Sequence, residues 1–460
     1  MVERLRIPSE ALRATLDKRQ LEEAPPSIRS ETQRDRDRIL YSSAFLRLGH
    51  VTQVASPELG HIFHSRLTHS LKVAQVARGL AQRFKTLAER GELEAGAARL
   101  VECLDEDATE AAALAHDLGH PPFGHLAEEV LQERSKHASF EGNAQSFRIV
   151  TSLALRSSVV PGSDATPVGL NLTRRTLNGI LKYPWLRAEE PPLRAKKWGA
   201  YADGDRRAFD WARQGYGDGE RTLEACLMDW ADDVTYAVHD MDDFFRARLI
   251  PLEHLTAGDS PERERFLAHL RSFATTKREA GEPGSDPGKL AAAAVALFSE
   301  GPVSDIDFPF SGRTGERTGL RELGSQLIGT YISAPRLRDA DGEEVKLEIE
   351  DAIVEQVLVL KQLTWFYVIN RPSLSVIQRG QREIVKTLFG MYRKAVGEGD
   401  SHILPPLYAE RIARVPGDAA RERVIIDLIA SMTEASAAEI YRERIGVSSG
   451  SVLAHAGGPA

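Results

Sequence analysis

The sequence predicts a mainly α-helical protein, with a helical core, additional C-terminal helices and loop insertions. Long segments such as residues 67–90 repeat apolar residues at helical spacing. Strand-like stretches are few and short, the best being residues 344–349, and no internal repeat is visible. The chain has 460 residues, 42% of them hydrophobic. That length and composition predict one large domain with insertions, or two closely packed parts.

The charge balance narrows the class of protein. Lys and Arg number 59 and Asp and Glu 67, so the formal net charge is −8. This balance argues against a generally basic, nucleic-acid-binding surface, although it leaves room for local basic patches.

Targeting signals and cysteine pairs give further expectations. The longest apolar run, residues 291–298, is far shorter than the roughly 20 residues of a membrane-spanning helix, and residues 1–6 lack the apolar stretch of a secretory signal. Cys103 and Cys226 stand in unrelated contexts, which excludes a disulfide framework. We therefore expect a cytoplasmic protein with no membrane segment.

Helices are expected where apolar residues recur every three to four positions between loop signals. Gly119, Pro121 and Pro122 end the alanine-rich helix 109–118, and Pro251 closes the helix 222–249. Loops are predicted at 161–169, 188–219 and 279–288, where Gly, Pro or mixed polar residues accumulate. The predicted helices span residues 31–48, 67–90, 109–118, 143–155, 222–249, 349–369, 374–396 and 418–443.

These elements divide the chain into five parts. Residues 1–30 are predicted to form a loosely ordered arm, and 31–275 the helical core. Residues 276–348 are expected to form an insert or linker. Residues 349–445 are expected to pack on the core as a C-terminal helical region, and 446–460 to form a frayed tail.

Three histidines lie within ten residues, and the first is followed directly by an aspartate. They are His116, with Asp117 after it, His120 and His125. Polar pairs at the end of a buried helix are costly unless they bind a partner, and imidazole and carboxylate are good ligands for first-row metals. The ordinary alternative is a hydrogen-bonded core histidine beside a helix-ending aspartate. Two further motifs weigh against that alternative.

The first of these motifs is Arg66 to His69, at the start of the helix 67–90. A fixed cation beside a metal ligand suits an anionic substrate such as phosphate. The second is the set Asp232, Tyr236 and Asp240, whose i, i+4, i+8 spacing places them along one stripe of a helix. A solvated acidic face is the ordinary explanation, but interleaved apolar residues predict that this helix is buried.

Together the motifs supply four nitrogen and oxygen ligands from three helices. They are His69, His116, Asp117 and Asp232. Four such ligands leave positions on one metal ion open to water and substrate, as in a catalytic site.

This ordered set resembles the HD-domain superfamily and, more narrowly, the deoxynucleoside triphosphate triphosphohydrolases, or dGTPase-like proteins. The resemblance covers roughly residues 30–445. The matching segments, in chain order, are residues 34–39, 52–54, 66–71, 116–128, 143–145, 171–173, 179–184, 231–240, 378–380 and 429–433.

The resemblance implies a mostly helical, metal-dependent enzyme that hydrolyses a dNTP to the deoxynucleoside and inorganic triphosphate. The metal it implies is Mn²⁺ or Mg²⁺, with Fe²⁺ or Co²⁺ as alternatives, because His₂Asp₂ ligation does not decide among them. It also implies a nucleotide effector and single-stranded nucleic acid as candidate partners, and a homo-oligomer, from dimer to hexamer.

The resemblance also implies a role for each matching residue. Besides the four metal ligands, it makes His125 the acid/base group, with Glu128 orienting it. It makes His120 the third catalytic residue, which would lie near the phosphates. The remaining roles concern substrate binding: Arg66 near the phosphates, Tyr236 on the deoxyribose, Asp240 with Gln53 on the 3′-hydroxyl, and Lys182 as a candidate phosphate contact.

The chain departs from the family at two basic positions of the N-terminal block, which here are Leu46 and Val51. Fewer cations would alter triphosphate binding or nucleotide regulation. Two other functions therefore stay open at this point. One is a phosphomonoesterase or phosphodiesterase of the wider HD superfamily, and the other is a nucleotide- or single-strand-binding protein with an inactive site.

Overall fold

The computed structural model describes residues 1–23, 28–53, 64–155, 168–280 and 285–445, and within these it confirms the mainly α class. Three short strands form one antiparallel sheet in the order β1-β3-β2, with β1 Val2–Arg6, β2 Arg336–Asp339 and β3 Glu344–Glu348. The helices are α1 (Glu10–Arg13), α2 (Glu31–Leu40), α3 (Ser43–Arg47), α4 (Arg66–Glu89), α5 (Ala95–Glu102), α6 (Glu106–Ala115), α7 (His125–Arg134), α8 (Gly142–Arg148), α9 (Arg174–Ile180), α10 (Pro192–Lys196), α11 (Ala202–Ala212), α12 (Leu223–Arg246), α13 (Leu252–Thr256), α14 (Pro261–Glu279), α15 (Pro287–Ser299), α16 (Thr314–Ser333), α17 (Asp351–Thr364), α18 (Pro372–Glu398), α19 (Pro406–Arg414), α20 (Gly417–Ala430) and α21 (Glu434–Arg444).

The centre of the fold is the packing of α4, α6 and α12 against one another. Polar side chains fix where these three helices begin, because each accepts a hydrogen bond from a backbone N–H that has no partner within the helix. Ser65 caps α4, Asp105 caps α6 and Thr222 caps α12. The alanine-rich α6 is buried along most of its length, and its small side chains let the two long helices approach it closely.

The turn after α6 lies directly against the backbone of α8. A Cβ atom at Gly119 would lie 2.1 Å from the carbonyl oxygen of Gly142, so a side chain is excluded there. The predicted helix 109–118 ends before this contact, at Ala115, and His116 and Asp117 occupy its C-terminal cap and the following turn.

The expectation of a loosely ordered N-terminal arm is wrong for the residues that the structure describes. Strand β1 pairs with β3, Leu5 opposite Val345, and Leu5 and Leu12 are buried. The local sequence does not predict this strand. Its pairing partner lies roughly 340 residues away, and only one of its five residues is fully buried, so no alternation of buried and exposed residues marks it. Pro25 and Pro26, which suggested a loose arm, lie outside the described residues.

The expected insert or linker at 276–348 is also corrected. It contains α15, which packs on α14 and α17, and α16, which packs on α12. The apolar run 291–298 lies in α15, whose Leu290, Leu297 and Phe298 join the main core. The predicted strand near 344–349 is confirmed as β3.

All three predicted loops contain structure or fall partly outside the described residues. Helices α10 and α11 lie within 188–219, where a loop was expected. Residues 161–167, 281–284 and 446–460, which cover most of one predicted loop, the middle of another and the predicted tail, lie outside the described residues.

The C-terminal region forms a second core with one helix of the first part. Residues of α18, α20 and α21 pack against Ala127, Val130 and Leu131 of α7. The helix α7 begins at His125, so this second core supports one edge of the HD turn, as we call residues 118–124.

One described segment, Asp351–Ile369, is long and apolar enough to span a membrane by length and composition, and it lies within the predicted helix 349–369. It comprises α17 and a π-helical turn, Trp365–Ile369. Half of it is buried inside the protein, where α17 packs against α12 and α15. This packing is that of a core helix.

Candidate metal centre

The packing of α4, α6 and α12 brings the four predicted metal ligands together. His69 lies in the first turn of α4, His116 and Asp117 follow α6, and Asp232 lies in α12. The His69 Nε2 atom is 3.0 Å from Asp232 Oδ1, and His116 Nε2 is 3.5 Å both from Asp232 Oδ1 and from Asp117 Oδ1. We call these four residues the metal cluster.

The hydrogen bonding of His116 shows that the cluster fits a cation. Its Nδ1 lies 2.6 Å from the carbonyl oxygen of Ala113, so Nδ1 carries the proton and donates it. The other ring nitrogen, Nε2, then presents a lone pair; it is buried and has no hydrogen-bond partner. A backbone carbonyl that fixes the imidazole in this way is typical of a metal-ligating histidine.

The charges of the cluster agree with that arrangement. Burial alone would raise the pKa of both carboxyls, but Arg66 and His116 hold the pKa of Asp117, and His116 that of Asp232, well below the usual range. Burial lowers the pKa of His116, yet the two carboxylates outweigh it and raise the value to about 9. A pocket that draws a proton onto a buried imidazole has an excess of negative charge, which a divalent cation would balance.

Arg66 lies beside this cluster, where the sequence places it, and is buried. Its Nη1 donates to Asp117 Oδ2 over 2.9 Å. A Cβ atom on Gly124 would come within 3.0 Å of its Nη2, so the guanidinium also contacts the HD turn. Its Nε is buried without a partner. Arg66 thus fixes Asp117 while one N–H remains unpaired.

The second group of predicted residues forms a chain of contacts that leads outward from Asp117. His120 Nε2 lies 2.9 Å from Asp117 Oδ1, and its Nδ1 contacts Glu128 Oε1. His125 Nδ1 lies 3.3 Å from the same Glu128 oxygen. The His125 side chain is 71% exposed, whereas that of Glu128 is nearly buried. Glu128 therefore orients both imidazoles, and His125 Nε2 is the ring nitrogen free to face a substrate.

The residues expected to bind the sugar include two unsatisfied acceptors. Asp240 lies one helical turn after Tyr236, and burial first, then Asp243, raises the pKa of Asp240 well above its usual value. Asp240 Oδ2 and Gln53 Oε1 are both buried and have no hydrogen-bond partner. Buried acceptors without a donor are rare, so each calls for a ligand that donates.

Lys182 contacts the metal cluster from the side. Its Nζ lies 2.5 Å from Asp229 Oδ1 and 3.9 Å from Asp232 Oδ2. Although burial opposes it, Asp229 and Asp232 raise the pKa of Lys182 well above its usual value. Lys182 is thus held by carboxylates, which makes it a partner of Asp232 in addition to the phosphate contact expected from the sequence.

A second cluster of polar side chains, not expected from the sequence, joins α4 to α12. Lys72 of α4 contacts His64 Nε2 and lies 3.2 Å from His239 Nδ1 of α12. His64 Nδ1 contacts Asp243, which also accepts the His64 backbone N–H at 3.0 Å. We call these four residues the lysine cluster. A lysine at i+8 from a histidine was the only local signal for it.

Two further residues of the site were missed. Arg47 is buried and donates to the carbonyl oxygens of Leu118 and His120, at 2.9 and 2.8 Å. Glu434 accepts from the backbone N–H of Phe123. Sequence motifs include or adjoin both positions, but their partners are backbone atoms far away in the chain. At the two departures from the family pattern, Leu46 is exposed and Val51 is buried.

Comparison with known families agrees with this geometry. The HD-domain model matches residues 66–237, and the model of a phosphohydrolase-associated domain matches residues 347–443. The buried His/Asp cluster between α4, α6 and α12 lies within the first match, so the molecule is an HD-domain phosphohydrolase.

Similarity over nearly the whole chain narrows the class. A deoxyguanosinetriphosphate triphosphohydrolase-like protein of Corynebacterium efficiens is 34% identical over 93% of this chain and 94% of its own length. The protein of that name from Streptomyces coelicolor is 36% identical over 91% and 93%, and that from Bifidobacterium longum 30% over 91% and 84%. The chain belongs to the family of deoxyguanosinetriphosphate triphosphohydrolase-like proteins.

Proposed function

We propose that the protein hydrolyses deoxynucleoside triphosphates to the deoxynucleoside and inorganic triphosphate. The observation that carries the proposal is the juxtaposition, on α12, of a metal cluster at Asp232 and an unsatisfied buried acceptor at Asp240, eight residues further along. A nucleoside triphosphate has phosphates for the first and a sugar hydroxyl for the second. The names of the relatives support the same substrate class.

In this proposal His69, His116, Asp117 and Asp232 hold one divalent cation, Mn²⁺ or Mg²⁺, with Fe²⁺ or Co²⁺ as alternatives. The bound cation would neutralise phosphate charge and act as a Lewis acid. Arg66 keeps Asp117 in place through the 2.9 Å bond and has an unpaired N–H for a phosphate oxygen. His120 and Lys182 lie next to Asp117 and Asp232 and add positive charge to the phosphate site.

The bond that breaks joins the α-phosphorus to the 5′-oxygen. A water oxygen adds to phosphorus in line and releases a proton to solvent, and the 5′-oxygen leaves with the electron pair of the broken bond. His125, oriented by Glu128 through Nδ1, donates a proton from Nε2 to the 5′-oxygen. Proton transfer of this kind typically contributes a factor of about 10²–10⁴ in rate.

The sugar end sets the preference for deoxy substrates. Tyr236 packs on the deoxyribose and leaves no room for a 2′-hydroxyl. Asp240 and Gln53 accept hydrogen bonds from the substrate, which would satisfy the two orphaned oxygens. A generic phosphatase of the HD superfamily has no need of this sugar pocket.

The proposal extends to assembly and regulation. We propose that the protein forms a homo-oligomer, and light scattering of the purified protein would measure its size. We also propose that a nucleotide acts as an effector, in which case a mixture of dNTPs would be hydrolysed faster than each dNTP alone.

Product analysis tests the reaction. The purified protein is incubated with each of the four dNTPs, alone and in mixtures, with Mn²⁺ or Mg²⁺, and products are separated by ion-exchange chromatography. Deoxynucleoside and triphosphate should appear in equal amounts. Monophosphate with pyrophosphate would contradict the choice of bond, and tight dNTP binding without any product would favour an inactive binding protein.

A further inference from the structure

We infer that Glu434, together with Arg47, is a positioning residue through which the C-terminal region holds both the general acid and the sugar-binding end of the active site. The inference rests on the proposed function for its kinetic consequences. It concerns the motif at residues 429–433, to which neither the resemblance nor the proposed reaction gives a role.

The side chain of Glu434 joins two segments that are distant in sequence. Its Oε1 accepts the backbone N–H of Thr52 at 2.9 Å and that of Phe123 at 3.2 Å, and its Oε2 accepts the Thr52 hydroxyl at 2.7 Å. Thr52 directly precedes Gln53, and Phe123 lies two residues before His125. One carboxylate thus fixes both the residue next to Gln53, which is proposed to bind the 3′-hydroxyl, and the segment just before α7.

The HD turn requires such a partner because its backbone is unusual. Phe123 and Gly124 have φ values of 69° and 59°, in the left-handed region that a phenylalanine rarely adopts. The Phe123 N–H precedes α7 and is used by no helical bond. Glu434 supplies the acceptor for it and so holds the turn in the conformation that aims His125.

Arg47 holds the other end of the same turn. Its guanidinium donates to the carbonyl oxygens of Leu118 and His120 and, at 3.1 Å, to that of Met432. Met432 and Glu434 flank the N-cap of α21, Thr433. The HD turn is therefore held at both ends by the C-terminal region. Met432 binds Arg47, which binds the start of the turn, and Glu434 binds its end at Phe123.

The test separates hydrogen-bond acceptance from charge. Glu434→Ala removes every acceptor, whereas Glu434→Gln keeps Oε1 for both N–H groups and can donate to the Thr52 hydroxyl from its amide. The control is Glu439→Ala. Glu439 is an exposed residue of the same helix and has no side-chain hydrogen bond or ion pair to any described residue. A residue that merely stabilised the N-terminus of α21 through its charge would lose its effect in Glu434→Gln as well.

Amide hydrogen exchange of the full chain gives a readout that does not require activity. Glu434→Ala should accelerate exchange in peptides covering 119–127 and 52–53, while Glu434→Gln and Glu439→Ala should match wild type. Thr52→Val, which removes only the hydroxyl, should affect 52–53 alone. Wild-type exchange at 119–127 in Glu434→Ala, or equal disturbance in Glu434→Gln, would overturn the inference.

Kinetics then connect the turn to catalysis. Glu434→Ala should lower kcat/KM for a dNTP by about 10–100-fold, because displacement of an acid/base group by about 1 Å is enough for such a loss. Part of this loss is a fall in kcat, from the displaced His125, and part is a rise in KM, from the displaced Gln53. With a 2′,3′-dideoxynucleoside triphosphate the fall in kcat should persist, whereas the rise in KM should disappear because that substrate lacks the 3′-hydroxyl. If wild type hydrolyses no dNTP, the proposed function fails, and the exchange experiment still decides the role of Glu434.

Discussion

The metal cluster and the lysine cluster both contain two histidines and both join α4 to α12, yet their chemistry is opposite. In the metal cluster, His116 Nε2 has no hydrogen-bond partner and faces two carboxylates. In the lysine cluster, the amino group of Lys72 lies against one ring nitrogen of each histidine. The other ring nitrogen of His64, Nδ1, is hydrogen-bonded to the carboxylate of Asp243. The amino nitrogen of Lys72 takes there the place between the imidazoles that a divalent cation would take in the metal cluster.

The pKa values express the same difference. Excess carboxylate raises the pKa of His116 to about 9, against the effect of burial. Burial, assisted by Lys72 and His64, lowers the pKa of His239 to about 2. Histidines and aspartates in proximity therefore do not define a metal site; unsatisfied lone pairs and uncompensated negative charge do.

The largest effect expected is that of Asp117→Asn, which removes one anionic ligand from the metal cluster. Loss of a residue that only supports a ligand costs 10–100-fold, so loss of the ligand itself should lower turnover by more than about 100-fold. Steady-state rates and metal content by mass spectrometry measure it, with unchanged circular dichroism. Asp210→Asn, an exposed site on α11, is the control, and an active Asp117→Asn would show that the metal site is misassigned.

Next in size is a pH effect confined to the metal-free protein. His116 gains a proton affinity on folding, so its contribution to stability is complete below the unfolded pKa, about 6.5, and is lost as pH rises towards about 9. After chelation, the free energy of unfolding should fall by about 2–3 kcal/mol over that range. Saturating Mn²⁺ should abolish the fall, since a ligating imidazole is neutral. Identical profiles with and without metal would refute the interpretation.

Lys72→Met tests whether the lysine replaces a cation. Two half-buried imidazole nitrogens lose their donor, so we expect a loss of about 1–3 kcal/mol in the free energy of unfolding by urea. The variant should regain stability with Zn²⁺ or Mn²⁺ beyond the gain of wild type, because His64, His239 and Asp243 then offer free ligand atoms. Lys85→Met on the same helix is the control. An equal response to metal in both variants would contradict the comparison.

The smallest effect expected concerns His239. Its depressed pKa means that the unfolded chain binds a proton that the folded protein excludes, so stability falls as pH drops below about 6.5. His239→Gln should flatten this fall by about 1–2 kcal/mol between pH 6.5 and 5. Unfolding curves at several pH values measure it against His254→Gln, whose side chain is 63% exposed. A slope unchanged from wild type would exclude His239 as its source.

Sequence alone predicts the parts of this molecule that depend on local pattern. The helix expected at 67–90 is α4, Arg66–Glu89, because its caps and its apolar face lie within one segment. The convergence of His69, His116, Asp117 and Asp232 was also predicted, since each begins, ends or lies on a recognisable helix.

Long-range pairing explains what the sequence did not reveal. Strand β1 depends on β3 for its hydrogen bonds, and the N-terminal segment therefore reads as an arm. Glu434 and Arg47 act on backbone atoms, which carry no residue-specific signal. Lys72 reads as a solvated lysine because its two histidine partners belong to a preceding segment and to α12.

The pairing of β1 with β3 also has a consequence for biosynthesis. During synthesis, residues 2–6 cannot form their strand pairing until residues 344–348 have been made, roughly 20–70 s later at ordinary elongation rates. During that interval the side chain of Leu5 has no cover from its partner on β3, Val345. The pairing of β1 with β3 therefore stays incomplete until the final quarter of the chain is translated.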